Sequence, residues 1–174
     1  VFVIVDMWDL HWCKNINREK IIKQSKFMHK EIPIRLAHRI QELEALPLEL
    51  RNINKIQDVI ELYKNSFEKL LILNPPINNE DCDKLNQTFS EIVKNHSVVP
   101  IDISEGIQTW KSYYPDSKFN INILLDHFYL SRIGIRTLIE QHISIIENGE
   151  GIISKCFPQI VVNDAIREVK SISS

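Results

Sequence analysis

The stretch HFYLSRIGIRTLIEQH, residues 127–142, sets the fold class of this chain. Its apolar residues recur at intervals of three and four, which is the repeat of a helix that buries one face. The same repeat predicts one long helix over residues 118–147. The buried seam of that helix is predicted to consist of Ile121, Leu125, Phe128, Arg132, Ile135, Ile139, His142 and Ile146.

Three shorter patterns precede this helix. The first predicts a helix that begins at Arg18 and ends before Pro33, because a proline inside a helix removes a backbone donor. Pro33 suits the first turn of a second helix, which is predicted to stop near Pro47. A third helix is predicted over residues 54–72, with Tyr63 on its seam.

A long helix follows, with Asn78, Asn79 or Asp81 as its predicted N-terminal cap. Its seam repeats from Leu85 to Trp110, a range that contains His96, Val99 and Ile103. Pro100 is expected to kink this helix. Gly106 lies on the seam, where the missing side chain would allow a neighbouring backbone to approach closely.

Long helices joined by short turns predict an all-α protein, an up-and-down four-helix bundle with a short N-terminal helix and a truncated C-terminal segment. We assign residues 18–147 to the bundle and leave 1–17 as an uncertain N-terminal segment. The stretch QIVVNDAIREVKSI, residues 159–172, predicts the beginning of a further amphipathic helix. No strand alternation and no internal repeat is visible.

Composition excludes several classes of function. A net charge of -2 and a pI near 6.3 give no reason to expect nucleic acid or an anionic membrane as partner. The three cysteines are far apart and form no C-x-x-C pair, so no metal site is predicted. The apolar opening VFVIV is too short to span a membrane. Phosphate-binding loops and hydrolase motifs are absent from the sequence.

Polar residues on apolar seams are the unusual feature. Arg132 and Arg136 lie one turn apart, and Tyr63 and His96 occupy seam positions on other helices. Together they predict a small polar pocket whose forked guanidinium donors suit a carboxylate. Simpler interpretations stay open: the arginines could reach a shared acid such as Asp126 or Glu91, and the histidines and Tyr63 could be ordinary core residues.

Four stretches carry a family resemblance: EIPIRLAHRIQELEALP (31–47), ELYKNSFEKL (61–70), HSVVPIDISEGI (96–107) and LLDHFYLSRIGIRTLIEQH (124–142). They resemble the N-terminal domain of the mitochondrial pyruvate dehydrogenase kinases and the related branched-chain 2-oxoacid dehydrogenase kinases. The resemblance covers roughly residues 18–170, in the family's order and spacing.

This resemblance implies the regulatory bundle of a homodimeric kinase of the mitochondrial matrix. That kinase phosphorylates serines of a 2-oxoacid dehydrogenase component, most readily pyruvate dehydrogenase, and so inactivates the complex. ATP and Mg belong to a separate nucleotide-binding domain in the full-length family. We expect residues 148–174 to be the linker and the start of that domain, so no cofactor is expected in this chain.

The resemblance also assigns residues. The family's pocket for 2-oxo acids falls on ten positions: Leu36, Tyr63, Ser66, Ile92, His96, Ser131, Arg132, Ile135, Arg136 and Ile139. His96 matches a histidine between that pocket and the catalytic cleft and is a possible catalytic residue. Phe27 matches a residue that docks the lipoyl domain of the acyltransferase core. Val93 departs from the family, because the pyruvate dehydrogenase kinases of animals often have arginine there.

Two other functions remain open from the sequence. A histidine phosphotransfer bundle would use His96 or His142, although neither is followed by a lysine three residues later. A non-catalytic interaction module would bind protein partners and use the polar seam only for structure. Exposure of the histidines and binding of small acids distinguish these alternatives.

Overall fold

The computed structural model describes residues 18–117 and 119–148, which form helices and short turns with no strand among them. The predicted N-terminal segment, the stretch 159–172 and nearly all of the predicted linker lie outside the described residues. The helices are α1 (Arg18–Glu44), α2 (Leu48–Arg51), α3 (Asn54–Ile72), α4 (Asn79–Asn95), α5 (Val99–Tyr113) and α6 (Ile121–Asn148).

Helix α1 corrects the prediction of a short N-terminal helix that ends before Pro33. The helix runs without interruption for 27 residues and contains Pro33 in its interior. Ile32 and Leu36, on either side of the proline, are both fully buried. Burial of this continuous apolar face outweighs the loss of one backbone hydrogen bond at the proline, so tertiary packing keeps the helix intact.

Helices α3 and α4 follow the sequence pattern closely. Helix α3 occupies the predicted residues 54–72. Of the three candidate caps for α4, the structure uses Asn78, whose side-chain oxygen accepts the backbone N–H of Asp81 at 2.9 Å. This contact satisfies one of the donors that a helix leaves unpaired at its N-terminus.

The predicted kink at Pro100 is present as a break between two helices. Helix α4 ends at Asn95, a 3₁₀ turn covers His96–Val98, and α5 continues from Val99. Pro100 has no N–H and cannot donate to the carbonyl of His96, four residues earlier. The 3₁₀ turn provides a substitute, since the Val99 N–H donates to that carbonyl instead.

The helices pack around one continuous core, which confirms the all-α bundle. Helix α1 contacts α3, α4 and α6, while α4 also packs on α6 and α3 on α5. The core includes Leu36, Tyr63, Phe89, Trp110 and Phe128. None of the helices among the described residues is long and apolar enough to cross a membrane.

Candidate functional site

A small cavity lies between α3, α4 and α6. Its volume is about 20 Å³, close to the space that one buried water needs. Tyr63 comes from α3, His96 from the end of α4, and the two arginines from α6. The full lining is Tyr63, Ile92, Val93, His96, Arg132, Ile135, Arg136 and Ile139.

Arg132 is the cation of this cavity. Its Nη2 donates to the His96 carbonyl at 2.8 Å, and its buried Nε has no partner. Because Pro100 cannot donate to it, that carbonyl accepts from the Val99 N–H and from Arg132 instead. No carboxylate lies within ion-pair distance of Arg132 among the described residues. Because it has no ion pair and its Nε has no hydrogen-bond partner, the Arg132 guanidinium can still bind an anion.

His96 lines the cavity as a neutral ring. The Ser66 hydroxyl donates to the Leu62 carbonyl at 2.9 Å, so its 2.8 Å contact with His96 Nε2 places the ring proton on Nε2. Burial, with a smaller effect of the Arg132 charge, lowers the pKa of His96 to about 4. The ring therefore adds no positive charge at neutral pH.

Tyr63 completes the polar surface from α3. Its ring packs against that of His96 at a centroid distance of 4.6 Å and against Phe128 at 6.1 Å. Burial raises the pKa of Tyr63 to about 12, although the charges of Arg132 and Arg39 act in the opposite direction. The hydroxyl therefore stays protonated and can act as a donor.

Arg136 stands at the half-exposed edge of the cavity. Its Nη2 pairs with Glu140 at 2.7 Å, one turn further along α6. The sequence left open that both arginines share Asp126 or Glu91. The structure contradicts that interpretation, because Arg132 bonds to a backbone carbonyl and Glu91 pairs with Lys69 on α3.

Seven of the ten predicted pocket residues line the cavity, and Val93 joins them. Ser66 lies behind His96, to which it is hydrogen-bonded. Leu36 is fully buried in the core, and Ser131 is half-buried on α6 outside the lining. Their role in ligand binding stays a prediction.

Phe27, the predicted docking residue, is 44% exposed on α1, so it is available to a partner. His96 and His142 are both buried, whereas a histidine that accepts a phosphate must be reached by its donor protein. Their burial argues against the phosphotransfer alternative.

Sequence reasoning missed one buried cation, Arg39. Its side chain lies on the core face of α1 between Leu36 and Leu43 and is 8% exposed. The signal was present, because position 39 continues the repeat of 36 and 43.

No group of three or more potential metal ligands occurs among residues 18–117 and 119–148. The cavity itself offers one charged guanidinium, a second at its edge, two neutral polar groups and isoleucine walls. This set of side chains fits a small monoanion with an apolar tail better than a cation.

Comparison with known proteins agrees with this arrangement. Residues 4–164 match the sequence model of the family described as mitochondrial branched-chain alpha-ketoacid dehydrogenase kinase. A mitochondrial [pyruvate dehydrogenase (acetyl-transferring)] kinase of Arabidopsis thaliana is 32% identical over 87% of this chain and 43% of its own length. The isozyme 4 kinase of Ictidomys tridecemlineatus is 30% identical over 83% of this chain and 38% of its own length.

The isozyme 4 kinase of Homo sapiens is 30% identical over 71% of this chain and 31% of its own length. The chain thus spans less than half the length of these curated relatives. Their names, the matched residues and the all-α bundle agree with one another. The chain therefore belongs to the mitochondrial pyruvate dehydrogenase kinase and branched-chain alpha-ketoacid dehydrogenase kinase family, of which it represents the N-terminal helical domain.

Proposed function

We propose that the cavity binds a small carboxylate of the 2-oxo acid class and that this domain is the regulatory part of a kinase. The observation that carries the proposal is the state of Arg132, a guanidinium with a buried unpartnered Nε and no carboxylate within reach among the described residues. Arg132 as a whole is half-buried, but leaving its Nε out of contact with both water and a partner is costly, and an anionic ligand would remove that cost.

The lining gives each part of such a ligand a place. The carboxylate would accept from Arg132, the Tyr63 hydroxyl would donate a further hydrogen bond, and Ile135 and Ile139 would contact the alkyl group. A cavity of about 20 Å³ is too small for a 2-oxo acid. Ligand entry would therefore require the lining to open. Arg136, whose side chain is 40% exposed and pairs with Glu140 at the edge of the cavity, is the part of the lining that we propose moves.

Calorimetry on the full chain tests this proposal. Pyruvate, dichloroacetate and branched-chain 2-oxo acids are titrated separately, and at least one is expected to bind. Arg132→Met should abolish that binding. Arg35→Met is the matched control, because Arg35 pairs with Glu31 on the outer part of α1 at 2.8 Å, away from the cavity lining. Binding that survives Arg132→Met, or no binding of any acid by the wild type, would refute the ligand proposal.

We infer the function of the whole protein from the family. The relatives' names support a mitochondrial kinase that acts on pyruvate dehydrogenase, and the matched family supports the branched-chain alpha-ketoacid complex as the second possible target. ATP and Mg would bind to a domain other than this bundle, and dimerisation would also belong to the full-length protein. The mitochondrial matrix, where these complexes work, is the proposed location.

Docking to a lipoyl domain of the acyltransferase core is the proposed role of Phe27. Its exposed ring on α1 supports that role, because exposed aromatic side chains often anchor protein partners. A pull-down with an isolated lipoyl domain should lose capture in Phe27→Ala. Leu48→Ala removes another exposed apolar side chain, 60% exposed on α2, and should not affect capture. Equal capture by all three proteins would contradict specific docking.

A further inference from the structure

A second guanidinium is buried in the bundle, on α1. Arg39 is 8% exposed, its Nη1 has no hydrogen-bond partner, and its Nη2 pairs with Glu42 one turn further along α1. The Glu42 side chain is 42% exposed. The ion pair therefore reaches from the core to the protein surface, with the positive end inside.

The register of α1 on α3 brings Arg39 to the level of the cavity. His29 Nε2 donates to the Leu73 carbonyl at 2.8 Å near one end of the pair of helices. Glu44, the last residue of α1, pairs at 2.6 Å with Lys64 in the middle of α3. These two contacts fix an antiparallel register in which Arg39 lies between them, opposite the segment of α3 that runs from Lys64 to Leu73 and adjoins Tyr63.

Electrostatics agrees with this placement. Burial raises the pKa of Tyr63, while the charge of Arg132 and then the charge of Arg39 act to lower it. The charges of Arg132 on α6 and of Arg39 on α1 therefore both act on the Tyr63 hydroxyl. Among the described residues Arg39 pairs with the Glu42 carboxylate, whereas Arg132 has no ion pair and bonds to the His96 carbonyl. The region around Tyr63 thus carries an excess of positive charge.

We propose that Arg39 is a second cation of the anion site, a positioning residue that acts across Tyr63, and that Glu42 limits its strength. The inference rests on the carboxylate-binding function proposed above. Arg39 does not line the cavity, so it would attract the ligand's charge from a distance and favour a Tyr63 hydroxyl whose proton points toward the ligand. Two charges that are not in contact still interact appreciably where water is excluded, because the effective dielectric constant is lower there.

Two substitutions with opposite expected effects test the proposal. Arg39→Met removes the charge and should weaken binding of the best 2-oxo acid by about ten-fold, the size expected for a charge attraction without direct contact at an effective dielectric constant near 20. Glu42→Gln removes the counter-charge and should strengthen binding by about three-fold, less because this carboxylate is partly screened by solvent. Arg39→Lys should stay close to wild type.

The neighbouring ion pair on α1 supplies matched controls. Glu31→Gln and Arg35→Met make the same chemical changes at a pair that is away from Tyr63, and neither should alter affinity. Circular dichroism confirms that each variant is folded. A gain of affinity in Glu42→Gln cannot come from misfolding.

The outcomes separate the two hypotheses. If the wild type binds an acid and Arg39→Met leaves its affinity unchanged, or Glu42→Gln fails to increase it, the role of Arg39 is refuted while the cavity remains a ligand site. If the wild type binds none of the acids, the carboxylate site and the role of Arg39 are refuted together.

Discussion

Among single residues, His142 has the least favourable environment in the core. Its ring is fully buried, neither ring nitrogen has a hydrogen-bond partner, and its edge packs on Phe89 at a centroid distance of 5.5 Å. Burial lowers the pKa of His142 to about 4. The pKa of His96 is also lowered to about 4, first by burial and then by Arg132.

These shifts predict acid sensitivity. The folded protein favours the neutral form of both rings, whereas the unfolded chain takes up protons below pH 6.5. The free energy of unfolding is therefore unaffected by these histidines above pH 6.5 and decreases as the pH falls toward 4. Between pH 6.5 and pH 4, each histidine should lower the free energy of unfolding by about 3 kcal/mol, because one pKa unit corresponds to about 1.4 kcal/mol. Urea unfolding midpoints measured between pH 7 and pH 4 check the slope.

The variant His142→Leu isolates one of the two histidines. We expect it to remove about half of the histidine-dependent acid sensitivity. It should also raise stability at pH 7 by about 1 kcal/mol, because a buried ring without partners is replaced by an apolar side chain. His127→Gln changes an exposed histidine on the same helix and is the control. A His142→Leu curve parallel to the wild type would contradict the assignment.

At the scale of elements, the two helical glycines have opposite surroundings, so alanine substitutions at them should change stability in opposite directions. A Cβ on Gly106 would lie 2.8 Å from Ile56 Cδ1 and 2.9 Å from Cγ1, whereas a Cβ on Gly134 meets nothing within 4 Å. Ile56 is itself buried and has little room to move. The space left by the missing side chain of Gly106 on α5 is thus filled by the Ile56 side chain of α3, and not by the neighbouring backbone that the sequence predicted.

We expect Gly106→Ala to destabilise the bundle by about 1–3 kcal/mol, the usual cost of overpacking a core. Gly134→Ala should stabilise it by about 0.5–1 kcal/mol, because alanine loses less backbone entropy in a helix. Urea unfolding measures both changes. Stabilisation by both substitutions would show that helix propensity alone governs Gly106.

The junction between α4 and α5 links helix geometry to the cavity. Pro100 leaves the His96 carbonyl to Arg132 and to the Val99 N–H. In Pro100→Ala the new N–H can donate to that carbonyl, as in a regular α-helix. Arg132 would then be released toward the cavity.

We therefore expect Pro100→Ala to raise affinity for a small carboxylate about three-fold, since one neutral hydrogen bond contributes about 0.5–1.5 kcal/mol. Calorimetry measures the affinity, and amide exchange at residues 99–102 reports the change in the junction. Pro75→Ala, in the exposed turn before α4, is the control. Unchanged affinity would show that Arg132 does not exchange between the carbonyl and a ligand.

At the scale of the whole molecule, a single core connects the described helices, so we expect one cooperative unfolding transition. Phe89→Ala removes a fully buried ring and should cost about 3–5 kcal/mol, which lowers Tm by roughly 10 °C. Phe119→Ala alters a ring that is 36% exposed beside Trp110 and should cost about 1 kcal/mol. Calorimetric scans compare them, and a second, separate transition would contradict the single core.

The sequence predicted much of this molecule because helical periodicity is local. The bounds of α3 agree with the predicted 54–72, α6 differs from the predicted 118–147 by a few residues at its start, and Asn78 was among the proposed caps. The same repeat placed Arg132 on an apolar seam. In each case a spacing of three or four residues fixes which side chains share one face.

Only the tertiary structure decided how these faces meet. Pro33 lies inside one continuous helix because Ile32 and Leu36 pack into the core on either side of it. Arg132 is joined to a carbonyl 36 residues away, and Arg39 reaches the region of Tyr63 from another helix. Such partners depend on the register between helices, which is set by packing across the core, and no local spacing encodes that register.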